Sequence, residues 1–124
     1  ARVPGERLAF TRCSEKRRGG GADVVPDPAH DVWGVLWDLD DAHVAALDGF
    51  EGYVPGGTRN AYERTSATVE SAQGFVEAAV YRANPQPDPP LPHASYVKHL
   101  IDGARAHGLP TEYQHALQEI PVQG

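Results

Sequence analysis

The chain contains one cysteine, Cys13, so it has no internal disulfide framework and is compatible with a reducing compartment. No cysteine-histidine or serine-histidine-aspartate order accompanies Cys13, which is expected to be a small packed residue at a strand end. Basic residues are also in deficit. Eleven Lys and Arg stand against seventeen Asp and Glu, a net charge of −6, which argues against nucleic acid or an anionic membrane surface as partner. No apolar run reaches membrane-spanning length and no signal-peptide pattern opens the chain, so a cytoplasmic protein is expected. Phosphate-binding and dinucleotide-binding glycine fingerprints are missing. Six histidines are present, but none lie three or four apart, and their spacing builds no helical metal site.

What is present describes a single domain of 124 residues, 40% apolar and 23% charged, large enough for one core. The chain is organised around Val32–Gly52, VWGVLWDLDDAHVAALDGFEG. Val32 to Leu39 is apolar at almost every position, which predicts a central strand covered on both faces. Asp40 can cap the free amides of the next turn. Val44, Ala45 and Leu47 then predict a short helix from about Asp41 to Asp48. Glu51 follows between Phe50 and Gly52. Burial there disfavours the carboxylate and raises its pKa toward the range useful for proton transfer, although a Glu in a glycine-rich loop is more often simply solvated.

Upstream, Leu8 to Arg12 alternates as a strand. Arg12, Lys16, Arg17 and Arg18 form a basic patch expected to be a solvated loop. Gly19-Gly20-Gly21 lacks Cβ atoms, giving either a loose loop or a close backbone approach. Ala22 to Val25 predicts a short strand ended by Pro26-Asp27-Pro28.

Downstream, Val54 to Arg59 reads as a loop. Ala61–Glu70 and Phe75–Arg82 alternate on either side of a Ser71–Gly74 turn, predicting a β-hairpin that sets Tyr62 and Tyr81 on neighbouring strands. Each tyrosine can fill core space or contact substrate. Five prolines between Pro85 and Pro92 predict an extended strap. Tyr96, Val97, Leu100, Ile101 and Ala104 stripe one helix that stops at Gly108. Thr111 to Gln114 has capping-box spacing and opens a last helix, with Tyr113, Leu117 and Ile120 on one face. Strands first and helices last suggest an α+β fold.

Val32-Trp33-Gly34-Val35-Leu36-Trp37, Leu47-Asp48-Gly49-Phe50-Glu51-Gly52, Gly19-Gly20-Gly21-Ala22-Asp23-Val24 and His107-Gly108-Leu109-Pro110-Thr111-Glu112-Tyr113 resemble, in order and spacing, motifs of the γ-glutamylcyclotransferase (AIG2-like) family. The resemblance implies a small mixed β-barrel with peripheral helices, which uses no metal or organic cofactor and releases 5-oxoproline from a small γ-glutamyl amine or amino acid. It makes Glu51 the catalytic acid/base and places Tyr96, Tyr62 and Tyr81 around the substrate. The family's YGSN strand has no counterpart between Ala1 and Gly124. The expectation is therefore a domain lacking its first strand and helix, with open ladder edges unless a separate piece or a neighbouring chain, as in a homodimer, covers them. Gly19 and Gly20, with Gly21, are the first candidates for a substitute substrate cradle. Two alternatives stand beside the enzyme: a noncatalytic small-molecule binding domain of the same fold, and a proline-strap ligand for a peptide-binding module.

Overall fold

Two hairpins and three helices make up the computed structural model, which describes residues 1–124. Strands β1 (Arg2–Ser14) and β2 (Gly19–Trp33) form the first hairpin. Helix α1 (Asp41–Glu51) precedes β3 (Tyr62–Ser71) and β4 (Gly74–Ala83). Helices α2 (Ala94–Ala106) and α3 (Thr111–Gln118) close the chain. The four strands form one antiparallel sheet in the order β2-β1-β3-β4.

The α+β class is as the sequence implies, but the sheet is not closed into a barrel. The two hairpins meet in the ladder at a single pair, Arg2 opposite Glu70, where the Arg2 guanidinium also bonds Glu70 and Asp31 at 2.9 and 3.1 Å. The outer strands β2 and β4 approach each other through side chains. Buried Asp23 accepts from the Ala83 amide at 2.8 Å and from Thr11 Oγ1 at 2.8 Å. Arg82 donates to the Val24 carbonyl at 3.0 Å and to Glu6 at 2.8 Å. These bonds satisfy edge groups that a closed ladder would otherwise pair.

Strand β2 is longer than its prolines suggest. It is an edge strand, and its pairing with β1 shifts register between Pro4 and Glu6, whose partners are Asp31 and Pro26. Residues 27–30 are accommodated in that irregularity, where Pro28 interrupts no ladder bond. Asp27 organises the excursion by accepting from the Ala29 amide and His30 Nδ1, each at 3.0 Å.

The expected strand Val32–Leu39 forms only at Val32 and Trp33. Ala1 and Gly34 exchange two bonds of 2.9 Å, and there the ladder ends. Residues 34–40 have no regular structure, and no strand pairs with them. Gly19–Gly21, read as either a loose loop or a close backbone approach, begin β2. Asp40 does cap α1, accepting from the His43 amide at 2.9 Å. At α3 the capping box is absent: Pro110 is the N-cap, and Gln114 donates to the Leu109 carbonyl at 2.8 Å. The hairpin β3–β4 and the turn at Ser71–Gly74 are as expected. The buried apolar core is small, consisting of Val69, Ala83, Val97, Ala104 and Leu117.

Candidate active site

Glu51 is the last residue of α1. The helix ends because Gly52 takes a left-handed φ of 71°, and the chain reverses with the Tyr53 amide bonding the Asp48 carbonyl at 2.8 Å. One turn before Glu51, buried Asp48 fixes the helix to the hairpin. It accepts from Tyr81 at 2.5 Å and from Arg64 Nη1 at 2.6 Å. The Arg64 guanidinium also lies 5.3 Å from the centroid of Tyr53. A rigid anchor three residues away therefore sets the position of Glu51.

Glu51 is half-buried where two cavities meet. The larger, about 630 Å³, has a floor formed by Tyr62, Tyr96, Gly21 and Gly52, while the turn between β1 and β2 forms its rim. The smaller, about 190 Å³, shares Glu51, Tyr62 and Tyr96 and adds Tyr81, Leu8 and Asp23. Burial raises the Glu51 pKa above the ordinary carboxylate range, and the charges of Arg17 and Lys16 oppose that rise.

Two of the tyrosines are held by one residue, Ala22. Tyr62 donates to the Ala22 carbonyl at 2.8 Å, and the Tyr96 hydroxyl accepts from the Ala22 amide at 3.4 Å. A Cβ on Gly21 would lie 2.7 Å from the Tyr62 hydroxyl, so glycine is what lets that hydroxyl reach the strand. Burial is the largest cause in pushing Tyr62 and Tyr81 up to about 12 and in raising Tyr96 as well. All three remain protonated near neutrality.

The structure thus brings Glu51, Tyr62 and Tyr96 to both cavities and Tyr81 to the smaller one. Gly19 and Gly20 line neither. They are buried under the proline strap, where added Cβ atoms would fall 2.5 Å from the carbonyls of Leu91 and Pro90, and the Gly20 amide bonds Leu91 at 3.0 Å. Their missing side chains admit the strap. The basic patch is also placed differently from expectation: Arg12, Lys16 and Arg17 line the larger cavity. Arg18, with φ 57°, completes the turn. Cys13 is exposed at the same cavity. The signal for this rim was the three cations within six residues of a hairpin turn. Asp48 was signalled by its place in LDGFEG.

A half-buried acid, two tyrosines and a cationic rim thus share one cavity on an α+β scaffold. The model of the AIG2-like family matches residues 31–117, and the chain belongs to that family. It is 34% identical over 111 residues to the gamma-glutamylcyclotransferase of Bos taurus, covering 88% of this chain and 56% of the relative. The Homo sapiens gamma-glutamylcyclotransferase is 33% identical over 109 residues with the same coverage. The chain thus spans about half the length of these curated relatives. A solved gamma-glutamyl cyclotransferase superposes with TM-score 0.87 at 28% identity, covering 99% of this chain and 73% of that one. An uncharacterized human protein gives TM-score 0.85 at 29% identity.

Proposed function

We propose that the chain carries the acid/base centre of a γ-glutamylcyclotransferase, with Glu51 as the proton carrier. The observation that supports this reading most directly is the position of Glu51: half-buried, at the junction of two cavities, with its pKa raised by burial. A carboxylate tuned upward in this way suits both halves of the reaction.

A γ-glutamyl compound carries its own nucleophile. Its α-amine, once neutral, attacks its γ-carbonyl; the new C–N bond closes the five-membered ring, and the C–N bond to the departing amine breaks. One proton leaves the α-amine and one reaches the departing nitrogen, so a single carboxylate can accept the first and return it. No protein nucleophile is required. Holding amine and carbonyl in near-attack geometry supplies a large part of the acceleration, and the tyrosine-lined floor is suited to that work. Tyr62 spends its O–H on the Ala22 carbonyl, whereas the Tyr96 hydroxyl only accepts from the Ala22 amide and keeps its own proton to donate.

The test is Glu51→Gln, which keeps shape and removes the titrating group. In a preparation that releases 5-oxoproline, we expect a loss of about 10²-fold or more in kcat with unfolding unchanged, the scale of general acid/base catalysis. Undiminished release would show that Glu51 is not the proton carrier.

A further inference from the structure

The turn between β1 and β2 carries three cations that form no ion pair, Lys16, Arg17 and Arg18, and two of them rest on aromatic rings. Lys16 Nζ sits 4.6 Å from the Phe50 ring centroid, and the Arg17 guanidinium 4.8 Å from that of Tyr96. Those rings flank Glu51 on its two sides: Phe50 precedes it in α1, and Tyr96 faces it across the larger cavity. None of the eight ion pairs in the structure involves Lys16, Arg17 or Arg12. Arg12 is partly used, donating to the Asn84 carbonyl at 3.0 Å. The side chains of Lys16 and Arg17 make no hydrogen bond within the protein. A ring face fixes where a cation sits without consuming its N–H donors, so both remain available to a ligand at the cavity rim.

The placement runs against the charge of the whole molecule. A chain of net charge −6 places three cations, Arg12, Lys16 and Arg17, against two carboxylates, Glu15 and Glu51, on one cavity, and a concave surface focuses the excess positive field on an entering anion. The turn is also built to hold them. The Arg17 amide donates to Ser14 Oγ at 3.3 Å, and the Arg18 amide to the Glu15 carbonyl at 3.2 Å.

We propose that Lys16 and Arg17 are specificity-determining residues that bind an anionic group on the departing amine, selecting γ-glutamyl amino acids and peptides over γ-glutamyl amines. The inference rests on the cyclotransferase reading of the same site. Within it, the α-amine of the γ-glutamyl group lies at Glu51. The departing portion, extending from the γ-carbonyl toward the cavity mouth, meets the rim. A carboxylate there is placed between an ammonium and a planar guanidinium, and the latter can bind it through two parallel N–H bonds. A departing alkylamine offers the rim nothing and leaves both cations as they were.

Binding and turnover are measured separately so that the two readings can fail separately. In the Glu51→Gln background, calorimetry compares γ-glutamylalanine with γ-glutamylethylamide, which differ by the carboxylate. With Lys16 and Arg17 present, the acid should bind about tenfold or more tightly, the scale of charge-assisted hydrogen bonds. In the same background, Lys16→Gln with Arg17→Gln should bring the two ligands within about threefold, chiefly by weakening the acid; Lys16→Arg with Arg17→Lys should restore most of the preference. A preference that survives the double Gln change, no preference in its absence, or no binding of either ligand overturns the rim. Both substituted residues lie in the turn between strands, and thermal unfolding checks that each variant is folded. If γ-glutamylalanine binds selectively but a preparation supplied with the family's YGSN segment releases no 5-oxoproline, the rim stands and the catalytic reading falls.

Discussion

The two sides of α1 present opposite kinds of surface. On the side of Glu51, polar groups converge on a cavity and nearly every buried one has a partner: Asp48 with Tyr81 and Arg64, Asp23 with Thr11 and Ala83, the two tyrosines with Ala22. On the other side, Val35, Leu36, Trp37 and Leu39 line a shallow apolar groove of about 720 Å³ with Leu47 and Val76. Trp37 there is 66% exposed. Residues whose composition demands burial are left at the surface, whereas residues whose composition permits exposure are buried. An apolar pattern expresses a demand for cover and says nothing about which element supplies it; a hydrogen-bonded polar cluster is complete once its members are in place.

The largest effect expected on the polar side is at Asp48. Removing its carboxylate with Asp48→Ala leaves Arg64 facing a buried gap and Tyr81 without its acceptor. Stability should fall by about 3 kcal/mol, toward the lower end for a broken partly buried ion pair because Arg64 retains some contact with water. Denaturant unfolding measures it. A loss under about 1 kcal/mol would show that the anchor is not what holds α1 against the hairpin. Asp48→Asn, which keeps one acceptor for Tyr81, should cost less.

Next comes the strap. Gly20→Ala would drive a methyl to 2.5 Å from the Pro90 carbonyl and 3.0 Å from Phe10 Cβ. Backbone cannot yield as a flexible side-chain tip does, so a cost of about 2 kcal/mol is expected. The activity of the folded fraction should be little changed, because Gly20 lines neither cavity. An unchanged stability with selective loss of γ-glutamyl binding would return Gly20 to the substrate.

These sites also show how far the sequence could be read. Alternation and a short turn are complete local signals, so β3 and β4 were legible, as was the start of α1 from Asp40. Glu51 was legible because its motif is contiguous. Gly19 and Gly20 revealed a close approach without naming the partner, and the strap that makes it lies some seventy residues away in sequence. Pro26 and Pro28 read as a strand end because tolerance at an edge-strand irregularity depends on which strand is outermost. Arg12, Lys16 and Arg17 read as solvated because charge alone does not reveal that Phe50 and Tyr96 wait beneath. Open ladder edges were expected, but the side-chain bonds that link β2 to β4 have no sequence period and could not be read in advance.

A smaller effect concerns acidity. Burial raises the Glu51 pKa, while the positive charges of Arg17 and Lys16 favour its ionised form and hold the rise in check. Arg17→Gln removes the stronger of the two opposing charges, so the pKa should rise further. If the unprotonated carboxylate is the form that accepts the α-amine proton, the acid limb of kcat/KM moves to higher pH. γ-Glutamylethylamide is the compound to use, since its departing amine carries no carboxylate to lose contact with the rim. A limb that stays put or moves downward would mean that Arg17 does not act on Glu51 in solution.

The smallest expected effect tests the apolar side. Trp37 is mostly exposed, and its one aromatic neighbour is His107, edge-on with centroids 5.9 Å apart. Trp37→Ser should therefore cost no more than about 0.5 kcal/mol, as for a surface substitution outside any network. The contrast with a buried tryptophan is wide, because truncating one in a core costs about 3–5 kcal/mol. A loss on that scale in denaturant unfolding would mean that this face is covered in solution, and the contrast between the two sides of α1 would disappear. Protein concentration then distinguishes the sources of cover. A penalty that grows as the chain is concentrated points to a second copy on the groove, since association stabilises by mass action. A penalty independent of concentration places the cover within the chain itself, in a repacking of residues 34–40 onto Leu47 and Val76.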